Sequence, residues 1–183
     1  MKKTVCLIVA LTAAIVLGGC SKGEQSPQNT TEEAVVVDIE EIHKAVQDAY
    51  GEDYIPNMPY DAQLFSDIFG VTEEMYDSFI AEGPMISTNV DTFVAVDAKE
   101  GKGEEVEEAL NKYRTHLQED SMQYPMNMPK VQAASVVRHG DYVFFVMLGV
   151  IPMETLDEGD EAALAAAKEN NQIGLDVIDG YFE

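Results

Sequence analysis

The segment Tyr142-Val143-Phe144-Phe145-Val146-Met147-Leu148 constrains the fold more than any other, because it is apolar throughout. Successive side chains on a strand point to opposite faces. Both faces of this one therefore need cover, and an edge strand in water has none. A strand predicted over Tyr142 to Ile151 thus belongs inside a sheet, and its neighbours are legible nearby. Val131 to Arg138 reads as a second strand, joined to it across Gly140-Asp141, a favoured two-residue hairpin turn. From Met85 the apolar period changes to two. Val90, Thr92, Val94 and Val96 alternate with Asp91, Phe93, Ala95 and Asp97, which predicts a strand burying mainly one face. Lys99 to Gly103 is a turn. A long amphipathic helix follows from about Glu104 to Met122, carrying Val106, Leu110, Tyr113 and Leu117 on one side. Its acids come early and its bases later, as the helix dipole favours. Strand, crossover helix, strand and a return strand filling the gap make the split βαβ arrangement. The expected fold is therefore α+β, with a three-stranded, mainly antiparallel sheet centred on residues 142–151.

Helices precede and follow this core. Asp38 opens the first, with Glu41 placed for a capping box and Ile39, Ile42, Val46, Ala49 and Tyr50 on one face. Gly51 offers its left-handed stop, and a loop punctuated by proline runs from Glu52 to Pro59. A second helix carries Leu64, Phe65, Ile68 and Phe69 and ends at Gly70. Thr72 is placed to cap a third, with Val71 and Tyr76 as a hydrophobic staple and Phe79 and Ile80 on its apolar face. An Ala-rich helix starts near Asp160. A last amphipathic segment carries Ile173, Val177, Ile178, Tyr181 and Phe182 and is interrupted by Gly174.

The address of this domain is set at the other end of the chain. Lys2-Lys3 precede an uncharged, mostly apolar run from Thr4 to Leu17, followed by Gly18-Gly19-Cys20. A basic start, a short apolar middle and small residues before a cut are the parts of an export signal, and the run is shorter than the ~20 residues that cross a bilayer. Ending on Leu-Gly-Gly-Cys, it resembles a bacterial lipoprotein signal. Cleavage is then expected between Gly19 and Cys20, with Cys20 lipidated as the first mature residue; an ordinary secretory signal or an uncleaved anchor is the alternative. Residues 1–19 are thus read as signal peptide, 20–37 as lipidated cysteine and spacer, and 38–183 as a single domain. The polar spacer cannot bury enough apolar area to order itself and spans on the order of 20–25 Å. Val35 to Val37, at its end, either pack on the domain or pair as a short edge strand.

Charge and cysteine content narrow the chemistry. A formal charge of −23, more negative by two once Lys2 and Lys3 leave, repels nucleic acid and anionic headgroups. Cys6 leaves with the signal and Cys20 carries lipid, so the exported domain has no thiol for a disulfide, a metal site or a nucleophile.

Several stretches resemble one bacterial family. They are Tyr50-Gly51-Glu52-Asp53-Tyr54-Ile55-Pro56, Phe69-Gly70-Val71 and Gly83-Pro84-Met85-Ile86-Ser87. Val90-Asp91 before a strand, Ala98-Lys99-Glu100-Gly101-Lys102 before the long helix, and Gly140-Asp141-Tyr142-Val143 continue the series. In this order, from Ile39 to Gly149, the chain is similar to small lipoproteins of Gram-positive gut bacteria that share domain of unknown function four-three-five-eight. The resemblance implies an extracytoplasmic domain tethered to the cell membrane of a Gram-positive cell. It carries no activity and no catalytic residues onto these positions.

Motif by motif, catalytic chemistry is thinly represented. His43, His116 and His139 have neither the H-x-x-x-H spacing nor the H-E-x-x-H motif of zinc sites. His139 with Asp141 has the makings of a water-polarising pair, an arrangement common at hairpin tips. Ser87, Ser121 and Ser135 lack a nucleophile elbow. The acidic runs 157–161 and 176–183 lack the ligand ladder of a calcium loop and suit weak, non-specific cation binding. No cofactor is expected. More unusual are two matching loops, Asn57-Met58-Pro59-Tyr60 and Tyr124-Pro125-Met126-Asn127-Met128-Pro129. Methionine and tyrosine together suit an adaptable binding surface, so Met58, Tyr60, Tyr124, Met126 and Met128 are the candidate binding residues; thioether clusters also suit Cu(I).

The leading reading is a non-catalytic binding or accessory module on a lipid anchor, meeting an envelope protein or small ligand through these loops. An enzyme acting on envelope or wall material by Asp/Glu acid–base chemistry is the alternative, and it requires a concave pocket holding two carboxylates. Weak cation or Cu(I) binding through the Met-rich loops is a further one. A solute receptor with two lobes needs more chain than this.

Overall fold

The computed structural model describes residues 36–183. In chain order the helices are α1 (Ile39–Tyr50), α2 (Ala62–Phe69), α3 (Gly103–Glu119), α4 (Met128–Ala133), α5 (Met153–Glu158) and α6 (Asp160–Asp179). The strands are β1 (Met58–Pro59), β2 (Tyr76–Gly83), β3 (Thr92–Ala98), β4 (Ser135–His139) and β5 (Tyr142–Met147). They form one open sheet in the order β1-β2-β3-β5-β4, with every neighbouring pair antiparallel. As the split βαβ pattern requires, β5 lies between β3 and β4, with α3 as the crossover. The sheet nevertheless has five strands where three were expected, and β3, not β5, is central.

The added strand β2 replaces the helix expected after Thr72. A register shift between Tyr76 and Ser78 bulges this strand. The extra residue turns Tyr76 and Phe79 to the same side, where both pack on one core with Ala81. A bulge in a strand thereby reproduced the three-residue spacing of a helix face. β1 is added at the edge: the Tyr60 amide donates to the Ala81 carbonyl and the Asn57 amide to that of Gly83.

Both faces of the sheet are covered. Val94, Val96, Val143, Phe145 and Met147 point to the side of α2 and α3, where Phe65, Phe69, Val106 and Leu110 meet them. Phe93, Ala95, Phe144 and Val146 point to the side of α1 and α6, against Ile42, Val46 and Ile178. β3 therefore buries two faces, not mainly one as its alternation suggested. Phe93 and Ala95 are apolar enough for burial, and within the strand only Asp97 marks the second face as polar, Asp91 lying just before it.

Element ends follow local chemistry. The Asp38 carboxylate accepts from the Glu40 amide, one residue short of a capping box with Glu41. Asp61 caps α2 through the Leu64 amide, and Gly70 ends it in the left-handed conformation that glycine adopts without cost (φ 73°). The strand read from Val131 begins only at Ser135, because Pro129 near the start of α4 pre-sets helical φ. The strand read to Ile151 stops at Met147, where the Leu148 amide turns to the Asn171 side chain. α6 runs unbroken through Gly174, whose missing Cβ admits the Tyr50 hydroxyl and Val146. Val37 packs on the core and its amide donates to the Tyr142 hydroxyl, whereas Val36 is exposed and Val35 lies outside the described residues. Among the described residues no helix is long and apolar enough to cross a membrane.

Candidate functional site

The antiparallel order carries the loops after β2 and β5 and those before β3 and β4 to one end of the sheet. There the two Asn-Met-Pro loops meet the same connection, residues 84–91. The Asn57 side-chain oxygen accepts from the Met85 amide at 3.1 Å, and the Asn127 side-chain amide donates to the Thr88 carbonyl at 3.0 Å. Met85 and Thr88 are three residues apart, which limits their separation to about 11 Å. The matching asparagines thus act as tethers, and they hold loops from distant parts of the chain around one connection.

The candidate binding residues divide by exposure. Met58, Tyr124 and Met126 are 39, 56 and 55% exposed, whereas Tyr60 and Met128 are half-buried. Tyr60 lies across Gly83, where any Cβ would strike its hydroxyl, and its ring packs near Phe69. It serves the fold first. Met85 and Ile86, outside the candidate set, are also exposed, at 70 and 67%. They fell within the expected strand and lie instead in the loop before it. Gly19 and Cys20 lie outside the described residues.

A buried ion pair braces this end. Asp91 is wholly out of solvent, and Lys130 at the start of α4 reaches its Oδ2 at 2.5 Å. Burial pushes the Asp91 carboxyl above its ordinary range. Lys130 opposes that rise, as do the amides of Asp91 and Gly149, although neither amide closes a hydrogen bond to the unpartnered Oδ1.

On the α1 face, His43, Tyr54 and Glu82 converge with no sequence spacing to announce them. His43 Nε2 lies 3.1 Å from the Tyr54 hydroxyl and 3.2 Å from Glu82 Oε2, and the hydroxyl donates to that carboxylate at 3.1 Å. The imidazole stacks on Phe93 with ring centres 5.3 Å apart. Burial, then the Glu82 charge, raises the Tyr54 hydroxyl far above its usual range. Burial also acts to raise Glu82, but the bonds from His43 and Tyr54 outweigh it and hold the carboxyl low. This cluster ties α1 and the loop after it to β2.

His139 and Asp141, paired in the sequence reading, part company. His139 Nε2 sits 2.9 Å from Asp179 Oδ1 with its ring stacked on Phe182, while Asp141 turns to the start of α3. Among the described residues no three His, Cys, Asp or Glu side chains gather as a metal would require.

An open antiparallel sheet between helical layers, with a methionine-rich loop cluster at one end, defines a small α+β domain. A family model described as a domain of unknown function (DUF4358) matches residues 49–148, over half of the chain, and the protein belongs to that family. The match contains all five strands and leaves α5, α6 and most of α1 outside. No curated protein and no solved structure matches the chain.

Proposed function

We propose that the protein is a lipoprotein held on the extracytoplasmic face of the cell membrane through a diacylglyceryl group on Cys20. Its domain is a non-catalytic binding or accessory module that meets an envelope protein or small ligand through the methionine- and tyrosine-bearing end of the sheet. One observation carries the binding reading: Asn57 and Asn127 fasten two separate Met-Pro loops to a shared connection and leave Met58, Met85, Tyr124 and Met126 facing solvent. Apolar side chains held outward by built hydrogen bonds are what an interaction surface needs. Two carboxylates withdrawn from solvent, Glu82 and Asp91, are each engaged by a neighbouring cationic or ionisable side chain, which favours binding over acid–base catalysis.

Chemical cross-linking on intact cells tests the surface. Met58→Ala, Tyr124→Ala and Met126→Ala together should abolish cross-linked species that the unaltered protein forms, with the thermal midpoint little changed. Unchanged cross-links would remove the assignment. Mass spectrometry of the membrane-extracted chain tests the anchor. A free thiol at Cys20 would end that part of the proposal.

A further inference from the structure

Between α2 and α3 run two adjoining open hollows of about 240 and 380 Å³, sharing Phe69, Gly70, Ala109 and Lys112. The apolar wall of the smaller hollow is built by Ile68, Phe69 and Tyr113, the last two meeting edge to face at 4.5 Å, and Phe69 continues into the larger. Gly70 and Ala109 add little bulk, so a guest can come close to both helix backbones. Leu64 stands one turn before Ile68, and the two are 44 and 38% exposed. An apolar ridge on α2 therefore continues outward beside the hollows.

The charges around the floor identify the occupant. Asp67, Glu105 and Glu108 bring three carboxylates to the lining, against Lys112 and His116; Glu105 also pairs with Lys102 and Asp67 accepts from Gln63, both at the exposed surface, so the lining keeps an excess of negative charge. The whole chain carries −23. An anionic amphiphile or an acidic lipid surface meets repulsion here, and so does a second copy of this chain. The hollows are also shallow and open, unlike the enclosed pockets that bury most of a small ligand. A basic amphipathic helix satisfies both halves of the surface. Its apolar residues at i, i+3 or i+4, and i+7 enter the hollows, and its lysines or arginines face the carboxylates.

We propose that the α2–α3 groove docks a basic amphipathic helix of a partner protein. This site is separate from the methionine-bearing end, and neither assignment depends on the other.

The probe is a fluorescent Leu/Lys peptide of about 14 residues, roughly four helical turns, with its leucines on one face. Anisotropy is read against the full chain in phosphatidylcholine nanodiscs, with empty discs subtracted. Saturable binding is expected. Ala109→Arg, which fills and charges the floor, should weaken it by ~10-fold or more, as loss of a central contact does. Glu105→Gln with Glu108→Gln should weaken it too and reduce its salt dependence, while Glu154→Gln with Glu158→Gln on α5 should leave it unchanged. The surface glutamines keep the test decisive if the arginine variant does not fold. The proposal is overturned if the peptide does not bind, or if a scrambled peptide of equal composition binds as well. It is likewise overturned if the α5 variant weakens binding as much as the groove variant, which would mean attraction to net charge alone.

Discussion

Asp141, in the turn between β4 and β5, accepts the Gly103 amide at 3.0 Å through Oδ1 and the Gly101 amide at 2.9 Å through Oδ2. Gly103 begins α3, and the residue at the helix's own capping position, Lys102, makes no side-chain bond to the helix's free amides. A hairpin turn thus caps a helix 38 positions earlier in the chain, bringing a carboxylate to the positive end of the dipole. Asp141→Ala should lower stability by about 1–2 kcal/mol, read from the urea midpoint. An unmoved midpoint would show that the cap contributes nothing.

The same approach explains why residue 103 is glycine. A Cβ there would collide with the Gly140 carbonyl oxygen and come within 2.9 Å of the Asp141 Cα, both parts of the backbone. Gly103→Ala should cost about 1–3 kcal/mol, the range for overpacking, despite alanine's higher helix propensity. A stabilised variant in thermal melts would contradict the close approach.

Removing Lys130 leaves a carboxylate buried alone. Lys130→Met should destabilise the domain by about 3–5 kcal/mol near neutral pH, and Asp91→Asn in the same chain should recover part of the loss. The sign of the pH dependence follows from burial. Without Lys130 the folded-state pKa of Asp91 rises further, so the variant's stability is fully present below the unfolded carboxyl value of about 3.9 and is lost as pH rises through the folded value. Urea melts at pH 4 and pH 7 should show the smaller deficit at pH 4. Equal deficits would place the ion pair outside the energetics of the fold.

Tyr50 joins α1 to α6: its hydroxyl donates to the Asn170 carbonyl at 2.6 Å and accepts the Gly174 amide at 3.1 Å. Burial pushes this hydroxyl up to about 12 from its ordinary 10.0. A raised folded-state pKa contributes stability that is present below the unfolded value and disappears as pH climbs through the folded one. Stability should therefore fall between pH 10 and 12. Tyr50→Phe should be less stable at pH 8, by about 1–2 kcal/mol for the lost bonds, and show a shallower alkaline decline. A decline of unchanged slope in the variant would assign the effect to other tyrosines.

Asn127 is 7% exposed and donates to the Thr88 carbonyl. Asn127→Ala should cost about 1–2 kcal/mol and speed amide exchange across residues 84–91 while leaving the β3–β5 ladder protected. Exchange that is unchanged in this loop would show that the tether does not hold it.

Much of the architecture was readable because it rests on patterns among adjacent residues. Seven successive apolar residues from Tyr142 demanded an interior strand, and Gly140-Asp141 joined it to its hairpin partner. β2 was misread because a bulge moved Tyr76 onto the side of Phe79 and imitated helical spacing. β1 was missed because two residues show no period at all, and their strand character comes from pairing with Glu82 and Gly83. At the candidate site, the repeated Asn-Met-Pro motif was visible and the job of its asparagines was not, since hydrogen bonds to Met85 and Thr88 leave no mark in composition.

By itself the sequence determined the acidic character of the chain, the helix faces and the split βαβ core. These depend on neighbouring residues or on sums over the chain, where side-chain type alone carries the information. Only the tertiary structure decided that β2 and β1 extend the sheet, that His43 meets Glu82, that Lys130 meets Asp91 and that Asp141 caps α3. Those pairings join residues about forty positions apart, and their partners come together only when the strands and helices between them have taken their places.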